Sequence, residues 1–384
     1  MSMSVHLRTV GVSSHLNPFC RGLFSRVKDF KLVVASTRYS NMREKIGWST
    51  DVDYPVAVDS AALREKANEV DVLIDMLREM PIFEARTKAK RKTFYMSERW
   101  FKPIVVQGLI GCRVRLPGVL RMLTPKYLKM AKRFAHLMDD SSFHLLPIGI
   151  HAVRDMVRLY RISNGEWKFL FVEPKVGVDR CLGGEVKGFP RMHLWSYFVE
   201  PSVRRCDEGG RAGESFLKIL WVGRMLDWKR VDVLVKAFRR LKREAALLLV
   251  GEGPERVRLE RLAGSLKKVG CEGACVWEKG KIVFHDYVKS DVVRELMREA
   301  SVYVMPSNAE EGWGAAVSDA LAEGCPVIST YEAGSSATLL NETSLFHSGD
   351  IEALVQLLEG FKPLRLAARN GWSGDEAAKI ILEL

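Results

Sequence analysis

At 384 residues and 47% hydrophobic content, the chain is long enough to bury more than one core, and two domains are expected over one. No window offers the ~20 uninterrupted apolar residues of a spanning helix, and the start MSMSVHLRTVGVSSH lacks the basic head and apolar run of an export signal. The seven cysteines are odd in number, and Cys271 and Cys275 have no second pair at metal-ligand spacing, so reduced thiols in a cytoplasmic protein are expected.

In chain order, strand candidates begin with SVHLRTVGV (4–12), FKLVVAS (30–36), EVDVLID (69–75), KTFYMSER (92–99), SFHLLPIGI (142–150) and EWKFLFV (166–172). Asp51-Val52-Asp53 has the form of a metal-diphosphate motif but follows the polar GWST, not an apolar strand, so no metal site is expected there. The net charge of +12 is concentrated: from Arg86 to His136 there are fourteen Lys or Arg against the single acid Glu98, which is +13, leaving about −1 elsewhere. Aromatic and aliphatic residues are interleaved with these charges. The segment reads as a solvated basic face or as a surface for anionic lipid headgroups. Nucleic acid would be drawn by the same charge, yet no nucleic-acid-binding module accompanies it.

EPSVRRCDEGGRAGES (200–215) is polar and glycine-bearing, a linker candidate. Beyond it, FLKILWVG (216–223), ALLLVG (246–251), KIVFH (281–285), SVYVMP (301–306) and PVIST (326–330) alternate with amphipathic helices such as VDVLVKAFRRLKRE (231–244) and DVVRELMREA (291–300). Short apolar strands separated by helices predict a parallel sheet covered on both faces. The expected fold is therefore α/β, with two doubly wound Rossmann-like domains facing across a cleft and ligands at the carboxyl ends of the strands. The domains span 1–205 and 206–367, and 368–384 forms a terminal helix for which a return to the first domain is one option.

Two constellations in the second domain carry chemistry. LWVGRMLDWKRVDVLVKAF (220–238) sets Gly223, Arg224 and Lys229 between a strand and a helix. Two cations at a strand's carboxyl end suit a clamp on a diphosphate, Arg by a forked contact and Lys as a point charge; a solvated turn would read the same in isolation. AEEGWGAAVSDALAEGCPVIST (309–330) puts Glu311 and the loop Gly312-Trp313-Gly314 ahead of a short helix. The glycines admit close backbone approach to an anion, and the helix N-terminus adds partial positive charge. Asp319 shares its helix side with Ala315, Ala316 and Ala322, which leaves room for docking. A loop with capping acids is the plainer alternative. Gly251-Glu252-Gly253-Pro254 lacks the third glycine of a dinucleotide fingerprint and is not read as one.

VGRMLDWKRVDVLVKAF, VGEGPE, EGWGAAVSDALAEGCPVIST and LFHSGDIEAL together resemble the nucleotide-sugar half of GT-B glycosyltransferases, specifically the large retaining family four. HLNPFCRGLF (15–24), FYMSERWFK (94–102), IGIHAVRDM (148–156) and LWSYFVEPS (194–202) resemble, less closely, a subgroup found in bacterial capsular and exopolysaccharide synthesis. The resemblance implies that Arg224 and Lys229 hold the donor diphosphate and that Glu311 contacts the transferred sugar. It further implies that Gly312, Trp313 and Gly314 offer amides and that Asp319 takes the place of the usual ribose-binding Glu. Asp is shorter by one carbon–carbon bond, about 1.5 Å. His151 matches a position near the sugar, and His15, Glu98 and Arg99 are acceptor-side candidates.

On this reading the chain transfers a sugar, with retention, from a nucleoside-diphosphate sugar to a hydroxyl of a glycan acceptor carried on undecaprenyl diphosphate, in bacterial surface polysaccharide synthesis. It needs neither metal nor cofactor, does not bind nucleic acid, and works in the cytoplasm as a peripheral protein at the inner membrane face, held there by 86–136. A nucleotide-sugar epimerase or phosphorylase on the same fold is the nearest alternative, and a nucleic-acid-binding protein using 86–136 is the alternative of another class.

Overall fold

A computed structural model describes residues 3–36, 52–107, 113–199, 216–269, 276–362 and 372–384. The expected linker 200–215, Asp51, Cys271 and Cys275 lie outside the described residues. The chain divides into two compact units. The first holds the start of the chain, Ser49–Phe198 and Trp372–Leu384; the second holds Val199–Gly371.

In the first unit, strands β1 (Ser4–Thr9), β2 (Asp29–Val34), β3 (Val56–Val58), β4 (Val72–Asp75) and β5 (Lys92–Ser97) are followed by a hairpin of β6 (Ile104–Gln107) and β7 (Arg113–Leu116). After β8 (Phe143–Pro147), β9 (Glu185–Val186) and β10 (Phe189–His193), the sheet order is β3-β2-β1-β4-β5-β8-β10-β9, parallel except where β9 meets β10. The order reverses between β1 and β4, which makes their carboxyl ends a topological switch point. The terminal helix Gly374–Glu383 packs in this unit against the helix Asn17–Phe24. Their backbones meet at glycines: a Cβ on Gly374 would lie 2.3 Å from the Pro18 carbonyl carbon, and one on Gly22 would lie 2.9 Å from the Gly374 oxygen. Arg26 forks onto Asp375 across the same contact.

The second unit contains β11 (Leu217–Val222), β12 (Ala245–Val250), β13 (Lys267–Val269), β14 (Ile282–His285), β15 (Val302–Met305), β16 (Val327–Thr330) and β17 (Leu345–Phe346). They form one parallel sheet in the order β13-β14-β12-β11-β15-β16-β17. Alternate residues of the central strands go to two separate cores. Ile219, Trp221, Leu247, Leu249, Phe284 and Val304 pack under the helices Val231–Phe238, Arg256–Ala263 and Ile351–Glu359. Leu220, Leu248, Val283, Tyr303, Met305 and Val327 pack under Ser290–Glu299 and Ala315–Ala322. Burial on both faces is why these strands read as unbroken apolar runs.

Three expectations are corrected. EWKFLFV is not a strand: Trp167–Leu170 is a 3-10 turn, and Phe171 is 84% exposed. The helix Ile150–Ser163 ends at Asn164, and Gly165 at φ +91° reverses the chain, so the run never reaches the sheet. The helix expected over 231–244 stops at Phe238, after which Arg243 turns back to donate to the carbonyls of Leu358 and Phe361. The basic segment is not wholly a solvated face. Arg86 is fully buried and donates to Thr93 Oγ1 and to the carbonyls of Ala67, Val70 and Lys92. Burial lowers its pKa to about 10, so it keeps its charge and staples the chain around β4 and β5.

The interior of the first unit also holds neutral imidazoles. Burial, reinforced by neighbouring cations, lowers His6 to about 4 and His144 to about 4. Both ring nitrogens of His6 are buried without a hydrogen-bond partner. An unfolded histidine takes up its proton near pH 6.5, whereas these do so only near 4. Their contribution to stability is therefore complete above about pH 6.5 and is lost as pH falls towards 4. Asp75 works in the opposite sense, its carboxyl pushed up to about 6 by burial despite Arg8. The expected result isolates the histidine: comparing melting temperature against pH, His6→Leu overtakes the wild type increasingly below pH 6.5. Parallel profiles would show that His6 does not titrate in this way.

Candidate active site

The second sheet reverses its order at β11, whose neighbours are β12 on one side and β15 on the other. Open α/β sheets bind ligands outside the carboxyl ends of strands at such a point. The chain leaves β11 through Gly223, Arg224 and Met225, makes one 3-10 turn at Asp227–Lys229, and enters the helix Val231–Phe238 through Arg230 in the left-handed region (φ +50°). That turn is seated on the tip of β12. Met225 N–H donates to the Glu252 carbonyl at 2.7 Å, and Glu255 N–H donates to the Met225 carbonyl at 3.1 Å. A Cβ on Gly251 would stand 2.0 Å from the Gly223 oxygen, and one on Gly253 2.4 Å from the Met225 oxygen. Gly251 and Gly253 thus let two strand-tip turns press backbone to backbone.

The loop after β15 is tied to the same turn. Asn308 N–H donates to the Trp228 carbonyl at 2.9 Å, and Lys229 Nζ lies 2.5 Å from Glu311 Oε2 and 4.4 Å over the Trp228 ring. The Glu311 side chain is 8% exposed and that of Lys229 20%, so the pair is largely withdrawn from water. On β15, the Tyr303 hydroxyl donates to the Val222 carbonyl of β11 at 3.4 Å. Burial raises the Tyr303 pKa strongly, and the carboxylates of Glu311 and Asp319 add to the shift.

The Gly312-Trp313-Gly314 loop is held by its carbonyls. Gly334 N–H donates to the Gly312 oxygen at 2.9 Å, Ser335 N–H to Trp313 at 2.7 Å, and Ser335 Oγ to Gly314 at 2.9 Å. In a trans peptide the N–H points opposite to the C=O, so the amides of Trp313, Gly314 and Ala315 are turned away from the helix Gly334–Leu339. The buried Trp313 ring pins the loop, its Nε1 donating to Ser318 Oγ at 3.0 Å. Gly314 caps the helix Ala315–Ala322 at φ +81°.

Of the expected donor residues, Lys229, Glu311 and the loop are brought together, with half-buried Asp319 one turn into the helix. Arg224 is exposed at the head of the same turn, close enough to Tyr287 that its charge opposes the burial raising that phenol's pKa. In the first unit the expected residues all follow carboxyl ends of parallel strands. His15 lies in the loop after β1 and accepts Phe198 N–H at its carbonyl. Glu98 and Arg99 follow β5: Glu98 holds Lys102 at 3.0 Å and the Tyr197 hydroxyl at 3.1 Å, and Arg99 lies 3.8 Å from the buried Asp155. His151 is a buried residue in the first turn of the helix after β8. Asp53 pairs with Arg21 at 3.0 Å, and among the described residues no group of three His, Cys, Asp or Glu gathers at metal-binding distance. Sequence reasoning missed Tyr303, Asn308 and Ser335. The glycine-serine run of YEAGSSATLL directly after β16 was the available signal for the last.

The fold defines a class: two parallel-sheet α/β units of the GT-B glycosyltransferase architecture. The chain is similar over 99% of its length to Anabaena HepE in complex with UDP, covering 98% of that chain at 12% identity with a TM-score of 0.59. It is similar over 99% of its length to the apo lipopolysaccharide outer core galactosyltransferase WaaB, covering 95% of that chain at 13% identity with a TM-score of 0.55. More particularly, residues 217–360 match the family model described as Glycosyl transferases group 1, so the second unit carries a domain of that description. Over 112 residues the chain is 31% identical to an uncharacterized glycosyltransferase of Methanocaldococcus jannaschii; the match takes in 29% of this chain and 26% of that relative, about a quarter of its length.

Proposed function

We propose that the protein is a retaining glycosyltransferase that moves a sugar from a nucleoside-diphosphate donor to a hydroxyl of a lipid-linked glycan. The observation that carries this reading is the Lys229–Glu311 pair, formed from the tips of neighbouring strands at the switch point of a Glycosyl transferases group 1 domain. The UDP in HepE and the lipopolysaccharide role in the name of WaaB support a nucleotide donor and a surface polysaccharide acceptor.

In this proposal the departing diphosphate builds negative charge as the anomeric bond breaks. Lys229 and the amides of 313–315, already held in place and partly desolvated, stabilise that charge as it forms, joined by the exposed Arg224 at the head of the same turn. The diphosphate competes with Glu311 for Lys229, which frees the carboxylate to accept from the sugar hydroxyls. Asp319 serves the ribose. The acceptor attacks from the leaving-group face, and a diphosphate oxygen takes its proton. His151 contacts the sugar, and His15, Glu98 and Arg99 serve the acceptor. The charge of 86–136 holds the protein at the cytoplasmic membrane face; among the described residues no helix is long and apolar enough to cross a membrane.

The test is product analysis with UDP-sugars and lipid-linked glycan acceptors. Transfer with retained anomeric configuration is expected, at a rate that EDTA leaves unchanged because cationic side chains supply the charge. Epimer or sugar phosphate formed from donor without acceptor would replace this reading, and loss of rate in EDTA would reject its metal-independent form.

A further inference from the structure

The 3-10 turn Trp167–Leu170 buries Leu170 but leaves Trp167 46%, Phe171 84% and Val172 56% exposed. It touches a second 3-10 turn, Gly118–Leu123, whose Leu123 is 63% exposed. Scattered exposed apolar side chains are ordinary, but large ones gathered on two adjoining turns mark an interaction surface.

The surroundings say what covers it. The helix Pro125–Met138 starts two residues after Leu123; it buries Phe134, Leu137 and Met138 and exposes Lys126, Lys129 and Lys132. Lys168 is exposed on the other turn, and Lys175 is exposed five residues beyond its end. The nearest acids in sequence are engaged, Glu166 by Arg161 at 2.9 Å and Glu173 by Arg154 at 3.9 Å. An apolar tip flanked by lysines complements an anionic bilayer. The tip reaches the acyl boundary, while the ammonium groups on their flexible stems stay at headgroup depth. Phosphate backbones would account for the lysines but not for Leu123 and Val172.

We propose that Leu123, Trp167, Phe171 and Val172 form a wedge that inserts into an anionic lipid surface, with Lys126, Lys129, Lys132 and Lys168 around it. This deepens the membrane element of the proposed function by adding residues outside 86–136 and an attraction that salt does not screen. It rests on the first unit alone and is independent of sugar transfer.

The experiment is co-sedimentation of the full chain with phosphatidylcholine vesicles, with and without phosphatidylglycerol, alongside UDP binding and a thermal melt. Phe171→Glu and Leu123→Glu are each expected to weaken partitioning onto the anionic vesicles about tenfold or more, without changing the melt or UDP binding. Part of the wild-type binding should survive ~1 M salt, where charge is screened within ~3 Å. The proposal is overturned if both variants partition like the wild type, if salt strips the wild type completely, or if the wild type ignores anionic vesicles, in which case the surface is left to a protein partner. Loss of UDP binding alone would count against the transferase reading and not against the wedge.

Discussion

Lys229→Ala is expected to lower kcat by about 10²–10³, the loss seen when one preorganised charge-stabilising donor is removed. The same substitution has a structural cost, because Glu311 is left with an unpartnered carboxylate that is only 8% exposed. Leaving such a group unsatisfied costs about 1–3 kcal/mol. The two effects separate in the double variant Lys229→Ala, Glu311→Gln. Removing both charges restores most of the stability, measured by denaturant midpoint, while turnover stays low. If the double variant recovers activity along with stability, the pair is a structural tie and Lys229 does no chemistry.

Gly251→Ala is expected to damage both fold and function although Gly251 itself is assigned no role in the reaction. Its φ of +128° is one that L side chains rarely adopt, and the new Cβ would fall 2.0 Å from the Gly223 carbonyl oxygen. The strained backbone costs about 1–3 kcal/mol by itself. The clash can be relieved only by moving backbone, so the turn that carries Arg224 and Lys229 must lift off the tip of β12. A drop of about 3 kcal/mol or more in unfolding free energy, with loss of nucleotide binding in the protein that still folds, is expected. Wild-type stability and affinity would mean that the two turns are not in this contact.

The second unit was legible because its strands are buried on both faces: ALLLVG and SVYVMP can hardly be anything but interior strands, and the helices between them impose a parallel order. From that order the convergence of the Arg224–Lys229 turn and the Glu311 loop follows, since both leave carboxyl ends. What periodicity could not show is pairing. Lys229 read as a cation waiting for a phosphate, and its contact with Glu311 depends on a tertiary approach eighty-two residues apart in sequence. Tyr303 looked like one more apolar strand residue, yet its hydroxyl donates across to the Val222 carbonyl of β11.

The first unit was less legible for related reasons. Its β9–β10 edge, EVKGFPRMH (185–193), is polar and glycine-bearing, so it gave no strand signal. EWKFLFV failed in the reverse direction: its apolar content is real, but Trp167, Phe171 and Val172 are exposed, Leu170 is buried in a 3-10 turn, and none joins the sheet. Arg86 misled through charge counting, because a guanidinium can be buried when backbone carbonyls saturate its donors.

The measurement that bears most directly on the central claim is isothermal titration calorimetry of nucleoside diphosphates, UDP first, against the wild type, Arg224→Ala, Lys229→Ala and His151→Ala. The account predicts one site on the wild type, weakened about tenfold or more in each cation variant, as loss of a charge-assisted contact implies. His151→Ala, altered in the other unit, should bind the sugar-free nucleotide like the wild type. Equal affinity across all four proteins, or no binding of any nucleoside diphosphate to the wild type, would contradict it.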